Sequence, residues 1–258
     1  MIPKIIHYCW FGGGEKDELT KKCIESWKRF CPDYTIKEWN ESNYDITKNQ
    51  YMNEAYQKKR WGFVSDYARL DIINENGGIY LDTDVEMIKS FDDLLSFNSF
   101  FGFEKTQNGF MVNTGSGFGA VKGNEIVMQM KKYYDNKSFI NEDGSLNLLT
   151  CPHANSKVLV QNGFEMNNQS QNIEENILFP YDYFSPFYWA KKKGKITSNT
   201  YSIHYYNASW VSKEEKKKRR RERRIDYVQH LPNRVIKSII GEKRYECLKS
   251  KLRGRRVK

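Results

Sequence analysis

Ile79-Tyr80-Leu81-Asp82-Thr83-Asp84 reads as a short buried strand that ends in two carboxylates one residue apart. Two oxygen-donor side chains at a strand end, with no Cys beside them, suit a hard divalent cation such as Mg²⁺ or Mn²⁺. A cation in such a place most often serves a diphosphate, whose leaving-group charge it neutralises. Upstream, Phe63, Val64, Tyr67, Leu70 and Ile73 recur at three- and four-residue spacing and predict a helix over 63–76. Gly77-Gly78 then supplies its stop. With that helix laid antiparallel to the strand, Arg69 sits about 10 Å back along the helix axis and Asp82 about 10 Å along the strand. Asp66 and Arg69, one turn apart on one helix face, therefore come beside Asp82 and Asp84.

The remainder of the chain supplies the layers around this pair. Residues 2–10 form a β-rich run that ends in Gly12-Gly13-Gly14, and Asp17 is placed to cap a helix over 18–30. Residues 35–39 alternate as a second strand. Strand, helix, strand in this order opens an α/β layer fold. Further helices are predicted over 49–60, 125–134 and 152–161, and further strands over 99–104, 110–120 and 201–206. Residues 135–150 read as a polar loop, and 176–189 as aromatic and irregular. In open α/β sheets ligands bind beyond the carboxyl ends of the strands, so Trp10 opens onto the crevice that holds Asp82. Its flat face suits a nucleobase, a stacking contact of roughly 1–3 kcal/mol. Base, ribose, metal-bound diphosphate and a polyhydroxyl ring together describe a nucleotide-sugar.

The chain has 258 residues, 39% of them hydrophobic, enough for one large packed domain. Its net charge of +10 is misleading as an average. Residues 213–258 hold 19 Lys/Arg against 6 Asp/Glu, a net of +13, which leaves 23 against 26, or −3, for the rest. This separates a near-neutral body, 1–212, from a basic helical extension, 213–258, and the asymmetry concerns partners rather than fold. Apolar residues such as Ile225, Val228, Leu231, Val235 and Ile239 lie among the charges of the extension. A basic helix with an apolar side suits an anionic membrane surface. Five cysteines without a CxxC or Cys/His cluster argue for free thiols in a reducing compartment, against a disulfide framework or a zinc site. With no apolar run of about 18 residues and no signal-like start, the expectation is a cytoplasmic protein, peripheral on the inner face of the membrane.

Two stretches closely resemble a known family. They are Arg60-Trp61-Gly62-Phe63-Val64-Ser65-Asp66-Tyr67-Ala68-Arg69-Leu70 with Gly77-Gly78-Ile79-Tyr80-Leu81-Asp82-Thr83-Asp84, and the opening Ile2-Pro3-Lys4-Ile5-Ile6-His7-Tyr8-Cys9-Trp10-Phe11-Gly12-Gly13. Both resemble glycosyltransferase family 32, which holds yeast-type mannosyltransferases and bacterial capsule and surface-polysaccharide transferases. More distantly they resemble the glucosylating clostridial toxins. The resemblance implies a GT-A fold, a nucleotide-sugar donor, Mn²⁺ or Mg²⁺, a saccharide or lipid-linked saccharide acceptor, and retention of anomeric configuration. It implies base stacking by Trp10, sugar contacts by Asp66 and Arg69, and a nucleoside contact by Tyr80. Asp82 would meet ribose, sugar and metal, Asp84 would be a direct metal ligand, and Asn113 would lie near the sugar. The closing His204…Ser209-Trp210 resembles a segment in which a residue near His204 completes the metal shell and Ser and Trp meet the diphosphate.

Two other classes fit less well. A haloacid-dehalogenase-type phosphatase also ends a strand in Asp-x-Asp, but it wants Thr or Val four residues after the first Asp, where this chain has Glu86. A non-enzymatic polyanion-binding protein acting through the basic extension would leave the pocket unexplained, and no nucleic-acid motif accompanies it. His7 and His153 read as structural, Glu104 and Asp182 are candidate acidic groups near the acceptor, and no carboxylate is named as a nucleophile. Same-face attack, with the departing phosphate taking the acceptor's proton, is the expected route.

Overall fold

The computed structural model describes residues 1–106, 109–188 and 193–207. Ser209, Trp210, Cys247 and the basic extension lie outside the described residues.

The chain opens with β1 (Ile5–Cys9), α1 (Glu18–Phe30) and β2 (Thr35–Trp39). Asp17 caps α1 by accepting from the Thr20 N–H at 2.8 Å, and Lys28 and Arg29 occupy its last turn, where the helix dipole favours cations. β1 and β2 pair in parallel, Ile5 opposite Thr35 and Cys9 opposite Trp39, so the first three elements form a βαβ unit. α1 buries Cys23 and Trp27, and the Trp27 indole donates to the Val85 carbonyl at 2.8 Å.

Then come α2 (Gln50–Gln57), α3 (Trp61–Asn76), β3 (Gly78–Tyr80) and β4 (Val85–Met87). α3 is buried nearly all round, from Phe63 through Ile73, rather than on one stripe. Its polar residues are paired accordingly. Asp71, with a side chain 3% exposed, receives Lys48 at 2.8 Å, Lys131 at 3.0 Å and the Tyr44 hydroxyl at 2.7 Å. The reversal from α3 into β3 requires glycine twice. Gly77 has φ +67 and returns its N–H to the Ile73 carbonyl; Gly78 has φ +103, and a Cβ there would meet the Ile5 carbonyl oxygen at 2.8 Å.

β5 (Ser99–Thr106) and β6 (Gly109–Val112) form a hairpin, and β7 (Phe118–Ala120) returns to the middle of the sheet. The strand expected over 110–120 is therefore two strands, broken at 113–117. There the Asn113 side chain accepts from the Gly115 N–H at 2.8 Å and Gly117 takes φ +130. α4 (Glu125–Lys132) and α5 (Cys151–Gln161) follow. The polar segment between them is pinned by Glu54, whose carboxylate accepts from Ser138 Oγ at 2.6 Å and from the N–H groups of Phe139 and Ile140 at 2.8 and 2.9 Å. β8 (Gln171–Ile173) and β9 (Asn176–Phe179) are joined by a two-residue turn, Glu174 and Glu175, both at positive φ as such hairpins demand. Residues 176–188 are thus less irregular than expected, because β9 pairs in parallel with β5. β10 (Phe187–Tyr188) and β11 (Lys193–Gly194) pair with each other, and β12 (Ser202–His204) pairs with β4.

The main sheet runs β2-β1-β3-β7-β5-β9-β8, with β6 on β5. β1, β2, β3, β5 and β9 point one way, and β7 is reversed between β3 and β5. One apolar core, including Phe63, Leu70, Ile73, Phe101 and Leu159, fills the α2–α5 side; a second, including Trp27, Leu81, Phe91 and Phe184, fills the α1 side. This is the expected α/β architecture. Cys9, Cys23, Cys31 and Cys151 are buried and free. Among the described residues no helix is long and apolar enough to cross a membrane.

Candidate active site

β3 ends on Tyr80, and the chain turns at once. The Asp82 N–H donates to the Gly115 carbonyl at 3.0 Å and the Val85 N–H to the Asp82 carbonyl at 3.0 Å. That turn holds Asp82 and Asp84 on one side, and the β4·β12 ladder brings His204, opposite Val85, against them. Ligand atoms of Asp82, Asp84 and His204 all lie within 4.8 Å of one another. His204 Nε2 is 3.2 Å from Asp84 Oδ1, and its Nδ1 is 3.0 Å from Ser116 Oγ, which orients the ring. The second Asp84 oxygen accepts from the Asn207 N–H at 2.7 Å.

Arg69 joins this cluster to α3. Its Nη1 is 3.1 Å from Asp66 Oδ1, one helical turn away, and its Nη2 is 3.0 Å from Asp82 Oδ1. The Tyr80 hydroxyl donates to the same Asp82 oxygen at 3.1 Å, and the guanidinium lies over the Tyr80 ring at 5.1 Å. Among the described residues Arg69 Nε has no hydrogen-bond partner. Arg69 and Asp82 thus meet, as the rises of helix and strand predict. Gly115 closes the site from the other side. A Cβ there would stand 2.1 Å from Asp82 Oδ2.

Asn113, just after β6, is buried. Its amide donates to Glu104 Oε2 at 2.9 Å while its carbonyl oxygen holds the Gly115 N–H. Tyr206 also lies near Glu104 and pulls its carboxyl down against burial. Glu104 therefore stands between the 113–117 turn and Tyr206.

The electrostatics are those of carboxylate excess. Burial pushes the Asp82 carboxyl up, against the pull of Arg69, and burial likewise raises Asp66 and Glu104. Burial would also raise Asp84, but His204 and the Asn207 N–H overcome it and hold Asp84 low. Burial opposes the charged form of His204, yet Asp84 and Asp82 raise it on balance. Four acids converge on one arginine and one imidazole. Two carboxylates and an imidazole form a donor set that suits Mn²⁺ and, through the carboxylates, Mg²⁺. The residues present therefore fit a divalent cation, which would relieve the excess negative charge.

Trp10 lies half-buried just beyond β1. Its indole donates to the Gly14 carbonyl at 2.7 Å, and Lys16 stands over the ring at 5.4 Å. Tyr80 is buried, with its hydroxyl already engaged on Asp82. Ser209 and Trp210 fall outside the described residues. His7 is a core residue, as expected. Asp182 accepts from Thr197 Oγ1 at 2.8 Å and belongs to a loop. The sequence reasoning missed Ser116, Cys151 and Asn207 altogether and underrated Glu104. The last had a signal: a lone acid closing the apolar run Phe100-Phe101-Gly102-Phe103.

Residues 17–101, 85 of the 258, match a family described as "Glycosyltransferase sugar-binding region containing DXD motif". The chain is 34% identical over 117 residues to an uncharacterized glycosyltransferase of Acanthamoeba polyphaga mimivirus, covering 43% of this chain and 46% of that one. It is 29% identical over 140 residues to inositol phosphoceramide mannosyltransferase 3 of Schizosaccharomyces pombe, covering 50% of this chain and 36% of that one. The chain thus spans less than half the length of these relatives. Among solved structures, the PaToxG glycosyltransferase superposes over 62% of this chain and 70% of that one, with 20% identity and a TM-score of 0.47.

Proposed function

We propose that this chain, which carries a DXD-type glycosyltransferase sugar-binding region over residues 17–101, is a metal-dependent, retaining glycosyltransferase of GT-A type. It moves a hexosyl unit from a nucleotide-sugar, in the first place a UDP-sugar, to a saccharide or lipid-linked saccharide acceptor in surface or capsular polysaccharide synthesis. The observation that carries the reading is the junction of two clusters on Asp82: the Asp82/Asp84/His204 donor set and the Asp66–Arg69 pair. Asp82 and Asp84 with His204 would hold the ion. When bound, a divalent cation neutralises the diphosphate as it departs.

The protein's own groups do the rest. Asp66 accepts from sugar hydroxyls, Arg69 donates to sugar or phosphate oxygens, and Asn113 borders the ring. Trp10 stacks the base, Tyr80 keeps Asp82 aimed while bordering the nucleoside, and Ser209 and Trp210 meet the diphosphate. Fixed donors of this kind stabilise charge where it develops and need no reorganisation. In same-face attack the acceptor oxygen forms the new C–O bond as the old one breaks, and the leaving phosphate oxygen takes the acceptor proton. The mostly parallel α/β sheet, with Asp82 and Asp84 just beyond the end of β3, supports the GT-A assignment.

A thermal-shift screen of UDP- and GDP-sugars with Mn²⁺ tests the reading, since a ligand of the folded state raises apparent stability by mass action. A rise with a UDP-sugar and Mn²⁺ together, followed by transfer of labelled sugar, supports it; no shift with any nucleotide overturns it. A second reading, a GDP-mannose-dependent mannosyltransferase, is favoured by the likeness to the fission-yeast mannosyltransferase, and the GDP-mannose arm decides it. The charge of 213–258 supports docking on an anionic membrane from the cytoplasmic side. A chain lacking 213–258 that still floats with anionic vesicles ends that idea.

A further inference from the structure

Cys151 opens α5, whose N-cap residue Thr150 turns its hydroxyl to His153 Nδ1 at 3.3 Å and caps no helix N–H. Asp66 lies beside it: the Cys151 N–H and thiol both pull the Asp66 carboxyl down against the effect of burial. The sulfur receives Arg69 Nη1 at 3.3 Å and lies 3.9 Å from Asn113 Oδ1. One thiol therefore stands beside all three groups assigned above to the sugar ring. A second observation bears on the same place. Arg69 is 3% exposed, yet among the described residues its Nε has no partner, and one of its Nη1 donors rests on sulfur, a weak acceptor. A buried guanidinium left with an unmade bond and a poor one is set to take oxygen from a ligand.

We propose that Cys151 is a specificity-determining residue of the donor-sugar pocket. The thiol holds Asp66 and Arg69 in place through bonds weak enough for sugar hydroxyls to replace. A hydroxyl at this position would donate firmly to Asp66 and accept firmly from Arg69, so that neither would be free for the sugar. A thiol is also larger than a hydroxyl and limits the room beside Asn113. The inference rests on the glycosyltransferase reading and names the residue that separates sugar recognition from nucleotide recognition.

The test is calorimetric titration of the full chain and its Cys151→Ser and Cys151→Ala variants with Mn²⁺. The ligands are UDP, GDP, UDP-glucose, UDP-galactose, their N-acetyl forms and GDP-mannose. The quantity read is the gain in affinity of each nucleotide-sugar over its own nucleotide. In Cys151→Ser that gain falls about tenfold, as for one charge-assisted hydrogen bond, while nucleotide affinity stays at the unsubstituted value and the thermal midpoint does not fall. In Cys151→Ala, which removes the thiol without adding a competitor, the gain is kept and the order of preference among sugars changes. An unchanged gain and order in both variants overturns the inference and leaves the transferase reading standing. So does a parallel loss of nucleotide and nucleotide-sugar binding with a lowered midpoint, which marks a structural role. Absence of any nucleotide binding by the unsubstituted chain is a different signature and removes both.

Discussion

Gly115→Ala is the substitution most directly aimed at the candidate metal site. The added Cβ would stand 2.1 Å from Asp82 Oδ2, 3.0 Å from Asp82 Cγ and 3.0 Å from Asn113 Oδ1. Ordinary contact requires about 3.4 Å or more between such atoms, so the carboxylate oxygen must move by more than about 1 Å. It cannot swing freely, because Asp82 Oδ1 is held by Arg69 at 3.0 Å and by Tyr80 at 3.1 Å. Displacement breaks at least one bond to a charged group, about 1.5–3 kcal/mol. The alternative, moving the 113–117 turn, strains the bond from the Asp82 N–H to the Gly115 carbonyl at 3.0 Å. Taken as about 2.7 kcal/mol of lost ligand geometry, the effect is about 100-fold in Mn²⁺ affinity. The assay is Mn²⁺ titration by calorimetry, with circular dichroism to verify the fold. A folded Gly115→Ala variant that binds Mn²⁺ as tightly as the unsubstituted chain would refute the crowding argument and the role given to Asp82.

Three further outcomes are expected. Asp84→Asn should keep the fold but lose Mn²⁺-dependent donor binding by more than about 100-fold, since even the outer partners of metal ligands cost 10–100-fold; retained Mn²⁺-dependent transfer sinks the assignment. His7 is buried, with Nε2 on the Gly77 carbonyl at 3.0 Å and Nδ1 accepting from the Trp39 indole at 3.0 Å, an arrangement for the neutral ring. Burial lowers its pKa to about 4 from the usual 6.5. The unfolded chain therefore takes the proton first: the stabilisation is whole above about pH 6.5 and falls by about 3 kcal/mol as the pH drops towards 4. Urea unfolding from pH 7 to 4 should show a shallower slope in His7→Gln, and identical slopes would refute this. Asp71→Ala should cost roughly 3 kcal/mol in the same assay, the low end for breaking a buried pair because Lys48 stays partly in water; a change under about 1 kcal/mol would mean the three bonds to Asp71 contribute little.

The legible part of the site was the part carried by one helix and the strand after it. The apolar recurrence over 63–76, the Gly77-Gly78 reversal and the rises of helix and strand together placed Arg69 against Asp82, and the two meet. What periodicity could not reach was set by pairing across long separations. His204 comes to Asp84 through two three-residue strands, too short to carry a pattern. Asn207 N–H and Asp84 are 123 positions apart, and Arg69 and Cys151 are 82 apart. The break inside 110–120 was hidden because Asn113, Gly115 and Gly117 sit in an otherwise strand-like run, and only the crowding at Asp82 explains why residue 115 must lack a side chain.

α3 has consequences for how the pocket can adapt. Its far side is moored by Asp71 to two lysines and a tyrosine, and its near side by Arg69 to Asp82. A rod fastened on both flanks can neither roll nor slide without parting several charged bonds at once. Accommodation of a bulky ligand must then fall on the 113–117 turn and on residues 205–207, which are held by hydrogen bonds such as Asn113 to Glu104 and Asn207 to Asp84. Backbone amide exchange would register that division as a silent wall and a responsive one.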